Sequence, residues 1–404
     1  MKKRNFDIKK GLNQEISLSA IEDGIKSNIH RQYNLWMMFM IFGILGLRIA
    51  GTFYTGSIDY FPFLSRWVKA YSVMGWKEAL ASHVTNYYVP YNIILIVISR
   101  FHVPPYIGIS LVSCLADLCI AYYLYRILQC YQRAPKKHLF IVLSVLLLPV
   151  CVIDSAFWKQ CDSVYAMFAV ISLYYYITGH YTKCFVVYAI GFCFKLQIIF
   201  LLPLYGMLWL FEHKHSFLQF LWIPLLYGLT GLPSILAGDS WSYVYRTYMS
   251  QVNLSRDTFL NYPNIWAVLP ELSGDPVVRV AEGITIVVLV IFLTMCLKKK
   301  HVITALEMLC LAGITVWTCA MFLTCMHERY DYLSLIILWV YGLAKGKYEF
   351  RLSVVMQCIM TICYTSLINY FPYPLLGMVY ICVYIAYVCR GKKECREHTD
   401  KEAG

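Results

Sequence analysis

The chain has 404 residues, of which 59% are hydrophobic and 14% charged, and its net charge is +12. That balance is too apolar for a soluble domain, and apolar runs of bilayer length recur along the sequence. The cations fall mostly in short runs between those stretches, a pattern that sets membrane orientation and speaks against nucleic acid as a partner. The 16 cysteines are scattered, many inside apolar runs (Cys114, Cys119, Cys193, Cys310, Cys358), without metal-type pairing. They read as small buried hydrophobes.

Composition therefore predicts an all-α polytopic membrane protein. Residues 1–32 read as a polar, basic cytoplasmic lead-in with an amphipathic helix around 16–25, not as a signal peptide. The first span is expected over 34–54. The stretch 55–90 then forms a first external loop. In it Phe63, Trp67, Tyr71 and Met74 recur at helical spacing with cations between them, the pattern of an interfacial helix.

Topology turns on residues 89–101. This apolar run is too short to cross a bilayer at about 1.5 Å per residue. If it crossed, Arg133–His138 would lie outside, against the positive-inside rule. If it enters and returns, or packs against other helices, further spans fall near 105–129, 138–154, 163–179, 182–197, 198–211, 217–237, 277–297, 302–324, 330–343, 351–370 and 374–390. With the first, that makes about twelve. The basic clusters Arg133–His138, His213–His215, Lys298–His301, Lys345–Arg351 and Arg390–Arg396 then share the cytoplasm with both termini. Residues 33–345 form the main transmembrane module, 346–390 two closing spans, and 391–404 a basic tail.

This topology places five polar groups on the extracytoplasmic side. They are Asp59 with the loop to Asn86–Pro90, the stretch Asp154–Asp162, Lys195 with Gln197, the loop 238–276 with Asn261–Trp266, and Met326–Asp331. A charge in or near hydrocarbon is costly unless paired or facing a cavity. Each has a plain alternative: Asp59 as a helix-end carboxylate in solvent, Lys195 as a structural ion pair with Asp154 or Asp162, His327-Glu328-Arg329 as an exposed turn, and Trp158 or Trp266 as interface aromatics. Together, acids (Asp59, Asp162) and bases (Lys195, His327, Arg329) on one rim suit transfer of a group from a membrane phosphate carrier to a hydroxyl. Arginine clamps phosphate, and a carboxylate takes the proton of the attacking hydroxyl.

The order of these blocks carries a resemblance: an acid after the first span, Asn-Tyr-x-x-Pro-Tyr at 86–91, Ser-Ala-Phe-Trp-Lys-Gln-Cys-Asp at 155–162, Phe-Lys-Leu-Gln at 194–197, Asn-x-Pro-Asn-Ile-Trp at 261–266, and Met-His-Glu-Arg-Tyr at 326–330. Over roughly 34–345 the chain resembles bacterial membrane proteins similar to the GPI mannosyltransferase that adds the second mannose, within the GT-C superfamily. The resemblance implies a GT-C-type bundle. It also implies inverting transfer of a hexose, by family default mannose, from a polyprenyl-phosphate sugar to a cell-envelope glycan or glycolipid outside the membrane. Carried over, Asp59 is the general base. Arg329, with His327 and Lys195, holds the donor phosphate. Asp162, Gln160, Asn264, Trp158, Asn86 and Glu328 line the sugar or acceptor site. No metal or cofactor is required, because phosphate leaves as a stable anion. The chain departs from the family pattern where Lys159 replaces a small residue, often Gly, where Asp154 replaces Asn, and where Ile58 and Tyr60 flank Asp59; Lys159 and Asp154 are expected to pair. The rivals are a flippase or transporter, which would carry polar groups right through the membrane, and a non-catalytic partner protein for lipid-linked sugars.

Overall fold

The computed structural model describes residues 32–402 apart from 253–256, 270–271, 273 and 299–301, and before them only Gly24 and Ser27; the side chains of Ser366 and of residues 393–402 are also outside it. The N-terminal amphipathic helix expected around 16–25 thus lies outside the described residues. Among those described there is no strand, only helices and one isolated bridge between Phe259 and Met326. The protein is an all-α membrane protein.

Its elements follow from where apolar side chains are spaced. On α1 (Tyr33–Phe53) Met37, Met40, Ile44, Arg48 and Gly51 form the buried stripe, at intervals of three and four. Leu35, Phe39, Phe42 and Leu45 point away from the protein. A large apolar face left uncovered is what a hydrocarbon-facing helix needs. After α1 come a π-turn (Tyr60–Leu64), α2 (Ser65–Ser72), α3 (Trp76–Ala81), α4 (Val89–Arg100), α5 (Pro105–Tyr131), α6 (Pro135–Val145), α7 (Pro149–Val152) with a second π-turn (Ile153–Trp158), α8 (Asp162–Ile177) and α9 (Tyr181–Phe194). A 3-10 turn leads into α10 (Leu202–Glu212), and another into α11 (Trp222–Ala237); then follow α12 (Trp241–Val252), α13 (Asp275–Leu297), α14 (Ala305–Phe322), α15 (Tyr332–Lys345), α16 (Lys347–Cys363) and α17 (Tyr373–Glu402).

Helix α14 is the centre: 94% of it is buried, and it packs against α5, α8, α10, α13, α15 and α17. Six stretches are long and apolar enough to cross a bilayer: α1, α5, Phe217–Ala237, α13, α14 and Tyr373–Lys392. The span expected over 138–154 is broken instead. Pro149 follows a turn at Leu146–Leu148, and Pro135–Val145 meets Pro149–Trp158 at 57°. Proline lacks the N–H that would continue the helix and bars the preceding residue from it. Five apolar helices are shorter: α4, α8, α9, Leu196–Glu212 and α15.

The bundle has two chemically different ends. At one, Thr52 on α1 meets Ser110 near the start of α5, and Ser113 donates to the carbonyl of Gln160. At the other, Tyr33 reaches the Lys136 carbonyl, Lys137 the Ala344 carbonyl, and Arg390 pairs with Glu349. Helix α4 stays at the first end. It starts beside Tyr87, whose hydroxyl donates to Gln160, and Arg100 at its close lies 5.1 Å over the Trp76 ring. A few residues on, Tyr106 packs on Phe53 at the end of α1. Its 12 residues reach only about 18 Å. Along the first π-turn and α2 the buried residues include Leu64, Val68 and Tyr71, whereas Phe63 is exposed. Of the expected series, only Phe63 faces away: Tyr71 is buried, and Trp67 and Met74 pack half-buried against the same core.

Candidate active site

Where helices break at the first end, charged side chains meet. Asp59 follows α1 and immediately precedes the first π-turn. Asp162 is the first residue of α8, where the helix dipole favours a negative charge. Lys195 ends α9 in an extended conformation that takes it out of the helix. Arg329 sits in the tight turn between α14 and α15, closed by Tyr330 N–H to the His327 carbonyl and Tyr332 N–H to the Arg329 carbonyl.

These residues form one continuous chain of contacts. Lys195 Nζ donates to both oxygens of Asp162 at 2.7 Å. Asp162 lies 3.9 Å from Arg329 Nε, and Arg329 Nη1 is 3.2 Å from Asp59 Oδ2 and 3.8 Å from Glu328 Oε1. His327 Nδ1 is 3.9 Å from Glu328 Oε2. The Lys195–Asp162 pair is buried; Asp59 and Arg329 are partly exposed, and so form the open side of the cluster. Burial opposes the Arg329 charge, but Asp59, Asp162 and Glu328 more than offset it, so the guanidinium is held above its ordinary value. Its Nε makes no hydrogen bond within the chain.

The strip Arg329–Tyr332 ties this cluster to the rest of the bundle. The Tyr330 ring lies 5.9 Å from Lys195 Nζ. Asp331 accepts hydrogen bonds from Tyr262 (2.8 Å) and Tyr380 on α17 (2.6 Å). Tyr332 donates to Asp117 at 2.6 Å, and Asp117 in turn pairs with Arg48, which also bonds Ser155. Arg48 and Tyr332 thus extend the polar network inward. Arg48 stands alone as a cation in an apolar stretch, and that is the signal from which it could be found.

The other expected residues divide. Gln160 is buried and reaches the cluster's neighbourhood through Tyr87, 3.2 Å away. Trp158 stacks on Tyr364 with centroids 4.9 Å apart. Asn86 is held by its backbone, whose carbonyl accepts from the Gln251 amide, and is not brought into the cluster. Asn264 is not brought to the cluster: its amide nitrogen donates to the carbonyls of Ala320 and Leu323, and its oxygen accepts from Trp266 N–H. It ties the 261–266 loop to the end of α14.

The expected Lys159–Asp154 pair is absent. Lys159 Nζ instead donates to the carbonyls of Gly51, Tyr54, Ala156 and Phe157, at 2.6–3.2 Å. Those carbonyls lie at the end of α1 and in the second π-turn, so one ammonium serves both. Burial pulls Lys159 down to about 8, which leaves it charged at neutral pH. Its backbone is left-handed (φ 62°), the conformation that favours glycine. At Gly51 an added Cβ would sit 2.7 Å from Ala156 Cβ, so α1 and the π-turn need this close approach. Asp154 is fully buried without a hydrogen-bond partner, in the field of Asp162, Lys195, Arg329 and Asp117. Among the described residues no group of three or more His, Cys, Asp or Glu is arranged to hold one metal ion.

Fold and site together define the class: an all-α membrane protein with a charge cluster at one end of its bundle. No family model matches the chain, and no curated protein matches it.

Proposed function

We propose that the protein is a GT-C-type glycosyltransferase of about twelve spans, with the segment 60–81 as an external interfacial helix pair and both termini cytoplasmic. It moves a hexose, with mannose the first candidate, from a polyprenyl-phosphate donor to a cell-envelope glycan or glycolipid. The observation that carries this reading is the 3.2 Å contact of Asp59 with Arg329 on the open side of the cluster. In this reading they are a base and a phosphate-binding cation at the boundary of water and lipid.

In this reading the donor phosphate takes Arg329 from Asp59, using the guanidinium Nε, which has Asp162 at 3.9 Å but makes no hydrogen bond in the chain. Asp59, released from its ion pair, accepts the proton of the acceptor hydroxyl. That oxygen attacks the anomeric carbon from the face opposite the phosphate, so the configuration inverts. The carbon–oxygen bond to phosphate breaks, and the phosphate leaves with the electron pair, held by Arg329 and His327. Lys195 acts from behind by keeping Asp162 against Arg329. The reaction needs no cofactor, and donor, acceptor and surrounding lipid are the partners.

The test is transfer from a polyprenyl-phosphate hexose by protein in nanodiscs. Asp59→Asn keeps the shape and removes the base, so turnover is expected to fall about 10²- to 10⁴-fold with donor binding retained. Turnover at the wild-type rate would remove Asp59 from the mechanism.

A second reading has its own observation. The Arg48–Asp117–Tyr332 network continues the polar path toward the interior, as a flippase for lipid-linked sugars requires. Proteoliposomes that move such a lipid between leaflets without forming a glycosidic product would favour transport.

A further inference from the structure

Beside the charged cluster lies a cavity that the cluster's chemistry does not use. It occupies about 120 Å³ between the 82–92 segment and the ends of α11 and α12. Its wall sets hydroxyls and amides, chiefly Thr85, Asn92, Thr247, Ser250 and Gln251, among apolar surface from Tyr87, Val89, Tyr243 and Val244, the mixed surface that a sugar's hydroxyls and C–H faces match. We propose that this cavity binds the neutral, polyhydroxyl part of a saccharide acceptor. The proposal rests on the transferase reading and extends it to the acceptor.

The argument is one of charge and position. The lining contains no Lys or Arg, so nothing in it favours a phosphate or carboxylate. Its one acid, Asp239, is already engaged by His83 at 2.8 Å, Ser234 at 3.0 Å and the Ser240 N–H, so it does not select a cation. Thr85, Asn92, Thr247 and Gln251 already bond within the chain, and what an apolar ligand would strand is the acceptor and donor capacity their hydroxyls and amides keep beyond those bonds. A sugar satisfies that capacity, since each hydroxyl both donates and accepts. Tyr243, stacked on His83 at 3.3 Å, adds an exposed aromatic ring to the same wall.

Position links the cavity to the cluster. Tyr87 belongs to the lining, and its hydroxyl donates to Gln160, two residues before Asp162. A glycan whose reacting hydroxyl meets Asp59 would run past Tyr87 into this cavity. The Gln251 amide bonded to the Asn86 carbonyl joins the two walls, so the shape is set before a ligand arrives.

The experiment measures binding of maltose and methyl α-mannoside by saturation-transfer NMR, using the full chain in nanodiscs. Inositol hexakisphosphate serves as the anionic probe. Thr247→Trp fills the cavity and Gln251→Ala opens its wall; both are read only in preparations that elute as the wild type does. Saccharide binding that weakens at least tenfold in either variant and persists in Asp59→Asn supports the site. Absence of saccharide binding in the wild type, wild-type binding in both variants, or preference for the anionic probe overturns it. Binding lost in Asp59→Asn but kept in Thr247→Trp also overturns it, because the sugar then sits at the charged cluster. A parallel arm with digalactosyl-diacylglycerol in the nanodisc separates a lipid-borne saccharide from a free one: competition with maltose assigns the lipid form to the same cavity. If binding behaves as expected but no polyprenyl-phosphate hexose is consumed, the saccharide site stands and the transferase reading falls.

Discussion

Lys195 and Asp162 show how a single residue position sets the character of the site. A buried charge without its partner costs roughly 3–5 kcal/mol, whereas replacing both partners together is far less damaging. Lys195→Met leaves the Asp162 carboxylate, which is fully buried, beside Arg329 alone. We expect a loss of roughly 3–5 kcal/mol in unfolding free energy in detergent, largely restored in Lys195→Met/Asp162→Leu. A double variant as unstable as the sum of the two singles would show that the pair is not a unit. Lys159 makes a different point at the same scale. The backbone there is left-handed, a conformation in which glycine would be relaxed. The lysine offsets that strain by joining four carbonyls from two chain breaks.

At the scale of elements, the working parts are the interruptions between helices. The π-turns after Asp59 and around Asp154, the extended Lys195 and the 327–331 turn each stop a helix where a polar group must meet another segment. The last of these is pinned by Asp331. Burial raises its carboxyl from 3.8 to about 7, against the opposing effect of the Tyr380 and Tyr262 hydroxyls. A raised carboxyl favours the folded state when protonated. Its contribution is therefore complete below about pH 4 and is lost as pH rises through 7. A displacement of this size is worth a few kcal/mol, at about 1.4 kcal/mol per pH unit. Wild type should lose melting temperature between pH 5 and pH 8.5 relative to Asp331→Asn, which stays neutral and can still accept from both tyrosines. Parallel curves for the two proteins would place the titration elsewhere.

For the molecule as a whole, sequence and structure agree most where one dominant force decides. The apolar runs of α1, α5, α13 and α14 are legible because hydrocarbon demands them. So is the meeting of Asp59, Asp162, Lys195, His327 and Arg329, since unpaired charges at a membrane boundary must find one another. What could not be read is local geometry. The break before Pro149 is marked by a residue whose effect depends on its surroundings, and Asn264 looks like a site residue until its three polar contacts are seen to hold a loop. The partner of Lys159 was hidden for the same reason, because backbone carbonyls leave no mark in a sequence. The two ends of the bundle give the last prediction. Basic residues Lys136, Lys137 and Arg390 gather at the end opposite Arg329, with α4 wholly on the Arg329 side. The positive-inside rule then predicts residues 131–137 in the cytoplasm and Asp59 outside. In a background with the exposed Cys119, Cys130, Cys358, Cys382 and Cys389 changed to serine, a cysteine at Ala134 should react with an impermeant maleimide only after the membrane is opened. A cysteine at Ser72, which is exposed in the segment after Asp59, should react in intact cells. The reverse pattern would turn the molecule over and place the charge cluster in the cytoplasm, where a nucleotide-sugar donor would replace the lipid-linked one.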